Sequence, residues 1–536
     1  MAVAHSTDYK RSTMKEIDTL LQQHQVPKGP GYSVAVYQNG KVVYSGAAGL
    51  ADIERSVSLT AASVFDIASV SKQFTAAALV ILEKQGLLSL DDRLVDYIDG
   101  LPEYCNSISL RHLLNHTSGL RDYNELLFQA GVQLDQAVSD SQALAMIKRQ
   151  YALEFAPGEK FEYSNTGYFL LALVVQVVTG KTLSQFSQQA ILTPLEMTNS
   201  YFWGRAGQDQ PPVAKAYCDE GIGGYEPQMG NWQTLGDGAL CTNTQDLLKW
   251  DNIFYTQDPY WRDVAARLQQ PGMLNNGMPT EYGLGLEFSC YRGQPIVFHD
   301  GCWGGYLSQY LRFPEQQLSV IVLSNDADGD PIGLAESIAD IVLANDLVDD
   351  QVLPELAQRE AFSESMLQAL PGRYEFLHEP ENGFEIVRSG EQITLLFGGE
   401  QVLYHAGDGQ LVNDAGQLTV IFDMQQNQVV CWLGARTGKA YKVRKINYFQ
   451  PSKADLNRLV GLYFSEELDT QLEISHNGRA LVMISAEEVY QLEYSESDLL
   501  KTSHEDISRL RIQQCQGTVS LFTGVHNVLN IEFVKI

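Results

Sequence analysis

Gly31-Tyr-Ser-Val-Ala-Val-Tyr-Gln-Asn-Gly-Lys-Val-Val-Tyr44 reads as a β-hairpin. Two alternating apolar runs flank Asn39-Gly40, a dipeptide that tolerates the positive φ angles of a tight two-residue turn. Further strand-like runs come much later, at 294–299, 306–313 and 318–323. Between them the pattern predicts a helix from Ser69 to Gln85 with Gly86 as its stop, and a buried helix from Thr166 to Val178 closed by Thr179-Gly180. A last helix is predicted over 332–345. Strands at both ends of a region, with helices between them, predict an α+β fold: one antiparallel sheet covered by helices.

This first region is predicted to cover residues 1–350. Residues 347–366 (LVDDQVLPELAQREAFSESM) are polar and acidic and suit a linker. Short alternating strands with turn signals follow, and two segments resemble one another. Gly372-Arg-Tyr374, Phe384-Glu-Ile386, Ser389-Gly390 and Ile393-Thr-Leu395 are matched by Gly461-Leu-Tyr463, Leu472-Glu-Ile474, Asn477-Gly478 and Leu481-Val-Met483. The offset is about 89 residues. Two small antiparallel, lipocalin-like β-barrels are predicted, over 367–450 and 455–536, with one larger β domain as the alternative.

Length and composition agree with several folded domains. At roughly 150 residues per domain, 536 residues make three to four. Hydrophobic residues are 44% and charged residues 19%, an ordinary globular balance. With 37 Lys and Arg against 66 Asp and Glu, the net charge is −29. Such a charge repels phosphate backbones and acidic lipid, which disfavours nucleic-acid and membrane partners. Seven cysteines without a C-x-x-C pair make neither a disulfide framework nor a Cys-rich zinc site, and no HExxH is present. The first residues, MAVAHSTDYKRSTMKEID, contain no apolar stretch long enough for a signal peptide. The expectation is a cytoplasmic protein, or a periplasmic one where a leader has been removed.

Three short motifs carry groups that can do chemistry. Ser69-Val-Ser-Lys72 puts a hydroxyl and an amine three residues apart, on one face of a helix. A serine is a poor nucleophile until a base takes its proton, and a desolvated lysine can be that base. Tyr163-Ser-Asn165 presents a phenol and a carboxamide on the same side of an extended segment. The alternative is a loop in which Asn165 caps the following helix. Phe298-His299-Asp300-Gly301-Cys302 ends a strand in small residues, where a substrate can approach the backbone. His299 can donate a hydrogen bond or carry a proton there, or serve only the fold.

In this order and spacing the three motifs resemble those of the penicillin-recognising serine hydrolases, which include class C β-lactamases, DD-peptidases, D-aminopeptidases and related esterases. The family marks S-x-x-K, Y-x-N and H-x-G match Ser69/Lys72, Tyr163/Asn165 and His299-Asp300-Gly301. Flanking text is similar too: Leu113-Leu-Asn-His-Thr-Ser-Gly-Leu120, Pro157-Gly158, Pro194-Leu-Glu-Met197 and Gly236-Asp-Gly-Ala-Leu240. The resemblance covers about residues 15–345. It implies attack by Ser69 on a carbonyl, with Lys72 and Tyr163 exchanging the proton and an acyl-enzyme forming on Ser69. It implies an oxyanion site between the backbone N–H groups of Ser69 and Cys302, with Asn165 and Gly301 beside the substrate. No metal or cofactor is implied. His116 is read as loop packing.

The third motif departs from the lactamase pattern. Histidine replaces the usual lysine, and Asp300 replaces a hydroxyl that meets the substrate carboxylate in those relatives. If Asp300 faces the pocket it repels carboxylates and attracts ammonium; strand alternation offers the opposite placement. A catalytic region followed by two barrels resembles the three-domain D-aminopeptidases, in which a loop of the last barrel reaches toward the site. The expected partner is a small peptide, amide or ester, with a homo-oligomer allowed. A D-aminopeptidase-like hydrolase is the leading expectation. An esterase, a β-lactamase or DD-carboxypeptidase type, and a non-catalytic penicillin sensor are the alternatives. Gly180-Lys-Thr182 lacks the upstream glycine of a phosphate loop, because Val175 stands there. Residues 466–469 (EELD) read as a solvated turn.

Overall fold

The computed structural model describes residues 2–24, 26–203, 211–221, 224–344, 346–347, 360–376 and 383–536, the last span without 397–399, 408, 414–417, 424–427, 435–439, 447–448, 450, 477–480, 486–487, 497, 503–506, 508, 516–517 and 526–527. The chain forms two compact units, residues 1–127 with 132–347, and residues 348–536 with 128–131.

The hairpin forms one edge of the sheet of the first unit. Tyr32–Gln38 and Lys41–Ala48 pair antiparallel, joined through Asn39 (φ 52°) and Gly40 (φ 72°), the two left-handed residues that match the twist of the strands. Tyr32–Gln38 also pairs with Leu318–Ser324 along its whole length. The sheet continues outward through Tyr306–Phe313 and Gln294–Trp303 to Glu287–Tyr291, six strands in all. Leu318–Ser324 is buried at every position, because helices cover both faces. On one face the N-terminal helix Ala2–Gln23 and the helix Pro331–Val342 pack over Val34, Val36, Val320 and Val322.

The helix Thr244–Asp251 meets Tyr32–Gln38 and Leu318–Ser324, and the helix Lys72–Lys84 is buried from residue 72 to 82. Its residues Ala76 to Leu82 are apolar without a break, as a helix enclosed in a core requires. Phe74 stacks on Trp250 at 4.1 Å between ring centroids, and the Trp250 indole N–H donates to Gln73 (3.0 Å). Next in the chain, the carboxylate of Asp251 accepts from the hydroxyls of Tyr310 (2.7 Å) and Ser319 (2.6 Å) and lies 3.5 Å from the Arg312 guanidinium. Arg312 is 1% exposed and lies over the Phe254 ring, 3.7 Å from its centroid. One buried carboxylate thus fixes helical segments to the strand whose Tyr310 pairs with His299.

The second unit contains two closed eight-stranded barrels, from Gly372–Phe376 to Ala440–Ile446 and from Gly461–Ser465 to Thr518–Val525 and Val528–Lys535. The internal likeness of the sequence holds in register and contact. Gly372 pairs with Ile386, and Gly461 with Ile474. Each barrel follows a short helix, Glu364–Ala369 or Lys453–Leu459. The Tyr374 and Tyr463 hydroxyls donate to the carbonyls of Leu370 and Leu459, each at 2.7 Å. Apolar side chains such as Phe384, Ile393, Leu411 and Val420 fill the first barrel as a packed core. Residues 466–469 form the turn between the first two strands of the second barrel. Asn477-Gly478 and most of the acidic stretch 347–366 lie outside the described residues. Among the described residues no single helix is long and apolar enough to cross a membrane.

Removing the Asp251 carboxylate strands the Arg312 charge in the core. Asp251→Ala is expected to destabilise the first unit by about 3–5 kcal/mol. The readout is the urea midpoint followed by tryptophan fluorescence, since five of the six tryptophans lie in this unit. A midpoint equal to the parent's would refute the role given to this carboxylate.

Candidate active site

Ser69 does not begin an α-helix, as the spacing predicts; it lies in a tight 3-10 turn, Ala68–Ser71, that leads into the helix at Lys72. One local and one long-range contact accompany the tighter turn. The Asp66 carboxylate accepts from the Ala68 N–H (2.8 Å), Ala68 takes φ 47°, and the Ser71 hydroxyl accepts from the Leu240 N–H (3.0 Å). With three residues per turn, side chains three apart eclipse one another. Ser69 and Lys72 therefore come closer to alignment than an α-helix would bring them. The Lys72 Nζ donates to Ser69 Oγ at 3.0 Å.

The same ammonium donates to Asn165 Oδ1 (2.8 Å) and to the Asp237 carbonyl oxygen (2.6 Å). Its side chain is wholly buried. Burial pulls the amine down from 10.5 to about 8, against the opposing pull of Asp237, Asp122, Asp300 and Glu287. Asn165 opens the helix Asn165–Thr179. Its N–H donates to the Asp122 carboxylate and its carboxamide faces Lys72, so it does not cap the helix. Burial pushes Asp122 up to about 6.

Tyr163 hydrogen-bonds Ser69, and its ring centroid lies 4.8 Å from Lys72 Nζ. Burial pushes its phenol well above 10, so it keeps its proton. His116 packs against this ring at 4.3 Å between centroids. Its Nδ1 accepts from the Ser164 N–H (3.1 Å), and burial holds the ring neutral. The loop histidine is thus a packing residue, and what it packs is the site tyrosine.

His299, 2% exposed, reaches the Tyr282 hydroxyl through Nε2 at 2.9 Å. Burial lowers its pKa to about 4, partly offset by Asp300. Gly301 lies against the turn that carries Ser69: a Cβ there would meet the Ile67 carbonyl oxygen at 2.5 Å and the Ser69 nitrogen at 3.0 Å. Only glycine lets the strand approach Ser69 this closely. Ser69, Asn165 and Cys302 line one cavity of about 70 Å³. Asp300 is not among its lining residues. A carboxylate oxygen of Asp300, one of Glu287 and a His299 ring nitrogen all lie within 4.8 Å of one another.

Sequence reasoning missed part of this wall. Asp237 supplies the carbonyl that Lys72 grips, and its carboxylate accepts from the Tyr123 hydroxyl (2.9 Å). Asp66, Asn124, Trp203, Trp232 and Trp303 also line the cavity. An acidic residue between glycines, Gly236-Asp237-Gly238, was the available signal.

A model of the β-lactamase family matches residues 17–343. Penicillin-binding protein 4* of Bacillus subtilis is 30% identical over 322 residues, 58% of this chain and 70% of the relative. A D-aminopeptidase of Brucella anthropi is 30% identical over 320 residues, 59% of this chain and 60% of that enzyme. In fold, the chain is similar to the octameric penicillin-binding protein homologue of Pyrococcus abyssi, with a TM-score of 0.54, 20% identity and full coverage of both chains. It is also similar to FmtA of Staphylococcus aureus, with a TM-score of 0.52, 24% identity and coverage of 63% of this chain and 90% of that one. The chain belongs to the β-lactamase family, whose fold serves serine hydrolases.

Proposed function

We propose that this protein is a D-aminopeptidase-like serine hydrolase of small peptides or amides that works through an acyl-enzyme on Ser69. The observation that carries the chemistry is the 3.0 Å contact between Ser69 Oγ and the Nζ of a wholly buried lysine. Near neutral pH the lowered pKa leaves a fraction of Lys72 as free amine, able to take the serine proton as Oγ attacks the carbonyl. The backbone N–H groups of Ser69 and Cys302 receive the negative charge that develops on the carbonyl oxygen. Asn165 orients the substrate amide. As the C–N bond breaks, the Tyr163 phenol gives its proton to the leaving amine and recovers one from Lys72. Water then cleaves the ester to Ser69, releasing a carboxylic acid. His299, neutral and tied to Tyr282, holds the strand beside the substrate without bringing a charge. The peptidase class is supported by the relatives that bear the name D-aminopeptidase.

The substrate class is tested with D-alanyl p-nitroanilide against its N-acetylated form. The free amine is expected to be cleaved faster, and Ser69→Ala to lose activity by about 10³-fold or more. Faster cleavage of the acetylated form removes the aminopeptidase reading. Hydrolysis of short nitrophenyl esters with no D-amide activity makes the enzyme an esterase.

The protonation assignment fixes the pH profile. Lys72 must be neutral to act, and its pKa is about 8. kcat/KM is therefore expected to climb with pH, level off above about 8, and show no rising limb set by His299, which is neutral above about 4. Lys72→Ala is expected to lower kcat about 10²–10⁴-fold and to remove that limb. A variant that retained it would show that another group is the base.

A further inference from the structure

The cavity beside Ser69 holds two carboxylates, Asp66 and Asp237, and no lysine or arginine is among its lining residues. Asp66 is 8% exposed and Asp237 is 9% exposed. Burial raises the pKa of both, and Asp237 raises that of Asp66 further, to about 7. Two like charges in one buried wall are costly, and the nearby Lys72 pulls on Asp237 without hydrogen-bonding its carboxylate. The three hydrogen bonds of Lys72 go to Ser69, Asn165 and the Asp237 carbonyl, so the lysine does not cap either carboxylate. A third group points to a missing donor. Asn124 lines the same cavity and is 8% exposed, and its buried Oδ1 accepts no hydrogen bond. Trp203, Trp232 and Trp303 complete the wall, and indole faces attract cations.

We propose that Asp66, Asp237 and Asn124 bind the α-ammonium group of the substrate, against the tryptophan wall. The proposal rests on the aminopeptidase reading and deepens it by naming the residues that select a free amino end. An ammonium group brings three N–H donors and a positive charge; the cavity offers two carboxylates and an unfilled carbonyl acceptor. A substrate carboxylate has no counter-ion among the lining residues, which disfavours penicillin-like and carboxypeptidase substrates here. Asp300, the acidic residue that the motif brings forward, is absent from this wall, so the selecting charge comes from the turn before Ser69 and from Gly236-Asp-Gly238.

The test pairs D-alanyl p-nitroanilide with propionyl p-nitroanilide, the same molecule with hydrogen in place of the amino group. Rates of the full-length protein are normalised to active sites titrated with a fluorophosphonate. The parent enzyme is expected to prefer the amine by tenfold or more in kcat/KM. In Asp66→Asn and Asp237→Asn that preference is expected to fall at least tenfold, through the KM of the amine substrate. Because Asp66 also holds the turn of the nucleophile, Asn124→Leu provides a second variant, with an expected fall of at least threefold in the same ratio. A preference that stays at the parent value in titratable variants overturns the assignment and leaves the aminopeptidase reading intact. A parent enzyme with no preference for the amine defeats that reading, and the assignment with it.

Discussion

A wholly buried lysine amine decides how the rest of the first unit is built. Removing an ammonium from water costs several kcal/mol unless its donors are met. Lys72 meets Ser69, Asn165 and the Asp237 carbonyl, one partner from its own turn and two from distant segments. Each partner must arrive at hydrogen-bond distance, so the sheet and the helices are set by this requirement as much as by apolar burial. The reward is chemical. The same desolvation that makes the charge expensive makes the neutral amine available, and a solvated lysine would stay protonated beside its serine.

Rigidity around that amine comes from groups that do not line the cavity beside Ser69. Phe74 and Gln73, the next residues along the helix, are held by Trp250, and Trp250 precedes Asp251. Asp251 binds Tyr310, whose register partner is His299. A continuous chain of packed and hydrogen-bonded groups therefore joins the helix that carries Lys72 to the strand that carries the third motif. Gly301 completes the approach, since any side chain there would collide with Ile67 and Ser69. Displacement of an ångström in either element would break the Ser69 to Lys72 contact on which the proposed mechanism depends.

Much of this was legible in the chain because the signals were local. Asn39-Gly40 specified its turn by backbone sterics alone, and the apolar run from Thr166 ended where Gly180 adopts φ 68°. The barrels were legible because one pattern occurs twice, down to a tyrosine that ties each barrel to the helix before it. What could not be read depended on distant partners. The 3-10 turn of Ser69 is tied through the Ser71 hydroxyl to the Leu240 N–H, and no periodicity encodes a contact across 169 residues. The placement of Asp300 turned on strand orientation, which the motif leaves open.

Asp237 shows why residue type alone understated the site. A carboxylate flanked by glycines looks like a turn residue, and in part it is one. In the fold its carbonyl accepts from the Lys72 amine while its carboxylate lines the cavity, so in the proposed mechanism one residue takes part in both activation and selection. The two tasks are electrostatically opposed. A carboxylate near Lys72 favours the protonated amine and so works against the base, whereas desolvation works for it. A substrate ammonium that neutralises the carboxylates would relieve that opposition at the moment of binding. The amine would then lose its proton more readily in the complex than in the empty enzyme, and only for substrates that bring the charge. Selectivity for an amino end and readiness of the nucleophile would thus arise from the same pair of carboxylates, without any moving part.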